Sequence, residues 1–393
     1  MKATIGLAMA VGALMACLGP VTPVAAALPP DPDNAALLYY QAFLLVPKVD
    51  DRATSDLVFN VANGGAAPNE QVKEHLKKCR EVIDCAVAAT ELPHCNWGVR
   101  YSKGFSAAFP HLAQIRSLSW LILADARILA AQGDYRQALE RCLAVHKMAG
   151  HVGDETLISL LVSIAVSTQA NKCVTAILEQ MPADAGTLTW LKGQFAMVPT
   201  AKLSANRAMT LEEEIASAYL QPERVGELPG ILSEPSGMSA EDVRKAIDAG
   251  ALQRARTYYS NYKGSALAIL SGPAPYVESY AKLQELANQM EQAAAKDPAV
   301  KLVKSIAPAM TKIYVLQTRY RADLNALQVA LDLYLAKAGS GRLPSSLPTG
   351  SPRDPYTGGE FKYEPAGNGF VLRCGAKDLD KNEVREYRFS TPK

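Results

Sequence analysis

The segment LISLLVSIAVS, residues 157–167, is apolar on almost every side of a helix, and a helix without a polar face has to be enclosed by other helices. The flanking sequence supplies them. Upstream, PHLAQIRSLSWLILADARILAAQGD (110–134) sets Leu112, Ile115, Leu118, Ile122 and Leu129 on one stripe at helical spacing, and Gly133 suits the left-handed residue that closes a helix. GDYRQALERCLAVHKMAG (133–150) repeats the plan with Tyr135, Ala138, Leu139, Cys142 and Val145, and Gly150 is its expected end. Short Gly-marked turns between such segments predict antiparallel helix pairs.

The same reading runs along the chain. Asn34 is placed to cap a helix over Ala35–Leu45, Asn69 one through Ala89, and further helices are expected over 154–180, 183–198 and 200–220. After a Pro- and Gly-rich stretch, Ser239 and Asp242 restart helix as a capping box, and Asp297 caps a long one over 298–338, interrupted at Pro308. In its second half Tyr320, Leu324, Leu327, Leu331, Tyr334 and Ala338 form an apolar seam. GDYRQALE resembles the first helix of a tetratricopeptide repeat, but no second copy stands in register. Near the end, Phe361 and Tyr363 are spaced by two, as are Phe370 and Leu372, on either side of PAGNG, which predicts a β-hairpin. The expected fold is mainly α: an irregular αα-hairpin, solenoid-like body with a long C-terminal helix and a small antiparallel β-element. Its expected parts are 1–27 signal peptide, 28–220 helical domain, 221–238 loop, 239–340 helical segment and 341–393 β-element packed on the long helix.

The first 27 residues read as an export signal: Lys2, an apolar run from Ala3 to Leu18, the breakers Gly19 and Pro20, and small residues at Ala25, Ala26 and Ala27. Cleavage near Ala26 or Ala27 would release a soluble chain; LMAC (14–17) also looks like a lipobox, in which case Cys17 would carry a lipid anchor. No later segment reaches membrane-spanning length without a charge or amide. The expected location is periplasmic or extracellular. With 41 basic against 39 acidic residues, the net charge of +2 offers no field for a polyanion, which disfavours nucleic acid. Six cysteines follow the signal. Cys142 and Cys173 fall on apolar helix faces, where a thiol acts as a small hydrophobe, and Cys85 with Cys95 is the expected disulfide because a turn separates them. No C-x-x-C is present.

LNALQVALDLYLAKAGSGRLPSSL (324–347) followed by DPYTGGEFKYEPAGNGFVLRCGAKD (354–378) resembles the C-terminal half of the major pseudopilin of type II secretion systems. The shared features are a helix, the Gly341 to Pro344 exit, the Asp354 to Gly358 turn, a hairpin, and Gly375 to Asp378. The resemblance covers about the last 80 residues and lacks the pseudopilin leader and assembly helix, so it implies a C-terminal β-element on a helical stem rather than pilus assembly. It also implies calcium near the C-terminal loop, where Asp378, Asp380 and Asn382 gather oxygen ligands. Glu383 and Phe389 stand where an EF-hand requires Gly and a bidentate acid, which excludes that motif. CNWGVRYSKG (95–104), the 110–140 segment, DETLISLLVSIA (154–165) and GRLPSSLP (341–348) further resemble a set of exported bacterial helical proteins to which no activity is attached.

Catalytic signatures are weak. His146, His151, Asp154 and Glu155 cluster in sequence, but a spacing of five around Gly150 and Gly153 is not one helix face. Ser260 with Lys263 and Ser279 with Lys282 read S-x-x-K without the partner motifs of penicillin-binding enzymes, and His94 beside Cys95 points away from it. No cofactor or metal is expected. Trp97, Arg100, Tyr101 and Lys103 are residue types that dominate recognition surfaces and form the candidate partner-binding loop, against the plainer reading that Trp97 plugs the core. The expected role is a non-catalytic binding or scaffolding component of the cell envelope, whose partner is a protein or envelope component. The alternative is a hydrolase of an envelope polymer with its site in an inter-helical groove.

Overall fold

Side-chain caps open the helices where the sequence places them. In the computed structural model, which describes residues 31–47, 52–153, 155–198, 205–227, 241 and 248–391, Asn34 accepts from the amide of Ala36 and Asn69 from that of Val72. Thr156, Asp184, Asp248 and Asp297 cap four more helices in the same way. The export signal with Cys17, the expected restart at Ser239 and Asp242, residue Asp154 and most of the Pro/Gly-rich loop lie outside the described residues.

One compact unit spans Asn34–Lys393. Its described helices are α1 (Ala35–Leu45), α2 (Arg52–Ala62), α3 (Glu70–Lys78), α4 (Arg80–Ala89), α5 (Pro110–Ala131), α6 (Tyr135–Val152), α7 (Leu157–Leu178), α8 (Ala185–Met197), α9 (Ala205–Tyr219), α10 (Ala249–Ser271), α11 (Tyr276–Ala294), α12 (Pro298–Ile306) and α13 (Met310–Ser340). The helix expected from Asn69 through Ala89 is broken at Cys79, whose ψ of 9° turns the chain without a Pro or Gly to announce it. Pro308 separates α12 from α13. Gly133 closes α5 at φ +91°, with the Asp134 amide reaching back to Leu129 O at 2.9 Å. Gly150, the expected stop of α6, stays helical, and the chain turns at Gly153, φ +78°, three residues later.

The apolar helix α7 sits at the centre, in contact with α5, α6, α9 and α13. It is the one described helix long and apolar enough to cross a membrane, and most of its apolar stretch is buried in protein. Its serines at 159, 163 and 167 are enclosed too, and Ser163 donates to Ala149 O across the α6 interface at 2.5 Å.

The C-terminal element is a sheet of three strands, β1 (Lys362–Ala366), β2 (Gly369–Asp378) and β3 (Glu383–Ser390), in the order β1-β2-β3 and antiparallel throughout. The expected hairpin is present, with Tyr363 opposite Leu372 and Gly367 at φ +54° in its turn; a third strand, which the sequence reading did not include, follows it. Phe361, Phe370, Leu372 and Phe389 are buried, as are Leu324, Leu327, Leu331 and Tyr334 of α13. That helix seam is shared: α13 packs along α7 and α8 as well as against β2. The sheet meets α13 through polar groups too, since Arg319 pairs with Asp378 and Arg385 with Asp323.

Candidate partner-binding groove

The 94–106 loop is fastened before it is displayed. Asn34 accepts from the amide of Asn96 at 2.8 Å and donates to Asn96 O at 3.0 Å, so the cap of α1 also pins the loop. Trp97 then stacks on His111 at 4.5 Å between ring centroids and on Tyr39 at 5.3 Å, and its indole N–H donates to His151 O at 2.7 Å. The ring is a plug shared by α1, α5 and α6. Tyr101 is half-buried near Phe109, whereas Arg100 and Lys103 are exposed. Gly104 allows the backbone to pass Tyr219: at φ +56° a β-carbon would lie 2.3 Å from that ring, whose hydroxyl donates to Lys103 O.

The sequence-adjacent acid–base candidates do not converge. His146 is buried against Phe195, and burial lowers its pKa to about 4. Neither of its nitrogens reaches strict hydrogen-bond geometry, and the neighbouring Asn171 side chain, which works to raise the pKa, offsets burial only in part. His151 bonds the Tyr39 hydroxyl at 3.0 Å instead. Lys263 pairs with Glu213 of α9, Lys282 with Glu278, and Ser279 donates to Ala274 O. The expected disulfide is also not formed: Cys85 and Cys95 are free thiols, and Cys85 donates to Leu38 O at 3.2 Å because its helix turns it toward α1.

The acids near the sheet are engaged by cations of the chain itself. Asp378, fully buried, receives Arg319 at 2.5 and 2.9 Å and the Tyr356 hydroxyl at 3.2 Å; Asp380 receives Arg319 at 2.7 Å and Lys312 at 3.4 Å. Asn382 takes a left-handed turn and accepts from Lys377. Arg319 thus occupies the position in which the resemblance expects calcium. Burial works to raise the Asp378 pKa, and Arg319 more than offsets it, leaving the carboxyl below its usual range. No cluster of three or more His, Cys, Asp or Glu suited to a metal occurs among the described residues.

A concave surface does form between α7 and β3, a cavity of about 360 Å³. Lys172 and Thr175 line it from α7, Glu179 from the residue just past that helix's end, Asp323 from α13, and Glu386, Tyr387 and Arg388 from the strand. Its floor is rigid: Arg385 and the Tyr387 hydroxyl both donate to Asp323, at 2.5 and 2.9 Å. Burial opposes the charge on Arg385, but Asp323 and Tyr387 hold it firmly protonated. Burial also raises the Glu179 pKa, an effect the Ser390 amide partly offsets by donating to it.

The feature that sequence reasoning missed is the edge this groove exposes. β3 is one of the two outer strands, and its side chains alternate, with Arg385, Tyr387 and Phe389 turned inward and Glu386 and Arg388 outward. At Ser390 the amide meets Glu179 and the carbonyl accepts from the Tyr334 hydroxyl at 2.7 Å, so the backbone of that residue faces away from β2. By the two-residue period of an antiparallel ladder, the amides and carbonyls of Arg388 and Glu386 face the same way, toward the groove. The spacing of a third strand after DLDKNE was the available signal, because REYRF alternates as the first two strands do.

No protein-family model matches the chain, and no curated protein or solved structure is similar enough to be matched to it.

Proposed function

We propose that this protein is an exported, non-catalytic binding or scaffolding component of the cell envelope, and that it holds an extended segment of a protein partner on the outer edge of β3. The observation that carries the reading is the strand edge at Glu386–Arg388, closed at its Ser390 end by Glu179 and Tyr334 and walled by α7. Unpaired edge amides and carbonyls are a template for adding a strand, and a groove that admits one segment restricts what can add. Export rests on the apolar run and small-residue site of the first 27 residues, and the pseudopilin-like character of the C-terminus on the motifs at Gly341 to Asp378. The Trp97 loop contributes Arg100 and Lys103 as a second exposed surface, with Trp97 and Tyr101 supporting it from below.

A photo-crosslinking residue at Glu386 of the full-length protein, incubated with envelope extract, tests this reading. Adducts are expected from position 386. They should disappear in Arg388→Pro, which removes an outward amide while leaving the ladder to β2 in place. Adducts obtained instead from a crosslinker at Arg100, with none at Glu386, would move the binding site to the loop, and adducts at 386 that survive Arg388→Pro would rule out strand addition.

A further inference from the structure

The groove between α7 and β3 is lined by charges, and all but one of them are engaged by the chain itself. Asp323 accepts from Arg385 and from the Tyr387 hydroxyl, Glu386 pairs with Arg373 and Arg388, and Glu179 accepts from the Ser390 amide at 3.4 Å. Lys172 lines the same cavity, is exposed, and has no ion pair or hydrogen bond among the described residues. Thr168, Lys172, Thr175 and Glu179 recur every three or four positions, so they form one stripe of the wall that looks onto the strand. The Glu179 end of that stripe is fixed at Ser390, the last residue of β3. Lys172 stands seven residues earlier, about 10 Å along the helix axis, a distance that about three residues of extended chain can span.

We propose that the segment held on the edge of β3 is acidic, with one carboxylate side chain that pairs with Lys172, about three residues from the end that abuts Glu179. The inference rests on strand addition to β3 and names the chemistry of the partner that would add. A strand added there lies about 4.8 Å from β3, on the side of the α7 wall. A side chain it directs into the cavity finds Lys172 as the ionic group still available. A basic side chain at that position meets like charge, and the acids that could offset it, Asp323 and Glu386, already hold guanidinium groups of the chain. The sign reverses at the other end, where a second carboxylate would stand beside Glu179. Acid near Lys172 and none near Glu179 sets the register of the segment as well as its charge. Because Lys172 is exposed, the pair contributes selectivity of up to about fivefold, and salt weakens it.

The test selects a displayed library of random short peptides on the immobilised full-length protein and, in parallel, on its Lys172→Glu variant. Lys172 is exposed and unpaired, so the substitution leaves the packing of α7 in place. The wild-type pool should concentrate Asp or Glu at a single position, and the variant should replace it there with Lys or Arg. A selected acidic peptide should bind the variant at least about fivefold more weakly, with the difference narrowing at high salt. The same peptide, N-methylated at alternate residues so that it cannot donate to a strand edge, should not bind either protein. A pool that is lost on N-methylation but shows no acidic position, or keeps the same one on Lys172→Glu, would overturn the pairing with Lys172 and leave strand addition standing. No enrichment at all, or binding that survives N-methylation, would overturn strand addition and this inference with it.

Discussion

Arg319 holds two carboxylates at once, the buried Asp378 through a two-pronged contact and Asp380 through a second nitrogen. Removing it strands a charge with no exposure to water, and breaking one side of such a pair costs about 3–5 kcal/mol. Arg319→Ala should lower stability by that amount in urea unfolding, and Arg319→Lys should recover only part of it because an ammonium cannot match the fork. Adding a calcium chelator to the wild-type protein should leave its melt unchanged; a chelator-induced loss of stability would reinstate calcium at Asp378 and Asp380. His146 behaves in the opposite sense. Its folded pKa, about 4, lies below the value near 6.5 of an unfolded chain, so the unfolded state takes up the proton first. The resulting contribution is complete above pH 6.5 and is lost as pH falls from 6.5 toward 4, amounting to about 3 kcal/mol. His146→Leu should flatten the pH dependence of the urea midpoint in that window. It should cost little at pH 7, because the contact with the Asn171 side chain, which falls short of good hydrogen-bond geometry, is the polar interaction lost. An unaltered slope in the variant would mean that other groups govern the acid limb.

At the scale of elements, α1 is secured at its first turn. Asn34 caps it, pairs with Asn96, and the Ala35 amide bonds His94 O at 2.8 Å, so one side chain joins a helix start to the loop that positions Trp97. Asn34→Ala should cost about 1–2 kcal/mol, the upper part of the range for a helix cap, because the loop contact is lost with it. Tryptophan fluorescence should shift as Trp97 loosens, whereas an unshifted spectrum with the same loss of stability would confine the effect to the helix. The Asp354 turn works similarly at the other end of the chain. Its buried carboxylate accepts from the Tyr356 amide, the Thr357 hydroxyl and the Gly375 amide, which fixes Tyr356 against Tyr276 at 4.5 Å and ties the turn to β2.

Across the whole molecule, the C-terminal sheet and the helical body share one core. Deleting the chain after Gly341 would return Phe361, Phe370, Leu372 and Phe389 to water at about 1.5–3 kcal/mol each, and would leave Arg319 and Asp323 of α13 without their partners. The truncated protein should aggregate or lose its cooperative melt. An unchanged, monomeric melt after truncation would make the sheet an appendage whose purpose lies in contact with something else.

Local physics was readable without coordinates. Helix starts at Asn34, Asn69 and Asp297 follow from side chains that satisfy free amides, the stop at Gly133 from a residue that tolerates positive φ, and the enclosure of 157–167 from the absence of any polar face. The β-hairpin was legible because its aromatics alternate, and the helix break at Cys79 was not, because nothing in its residue types distinguishes it. What only the tertiary structure decided concerns pairings between distant positions. Cys85 donates to Leu38 O and is not joined to Cys95, Asp378 meets Arg319 fifty-nine residues away, and the outer edge of β3 faces α7. Periodicity says which face of a helix is buried, but it carries no information about which other buried face lies opposite; that is settled by how the helices and the sheet pack together to exclude water.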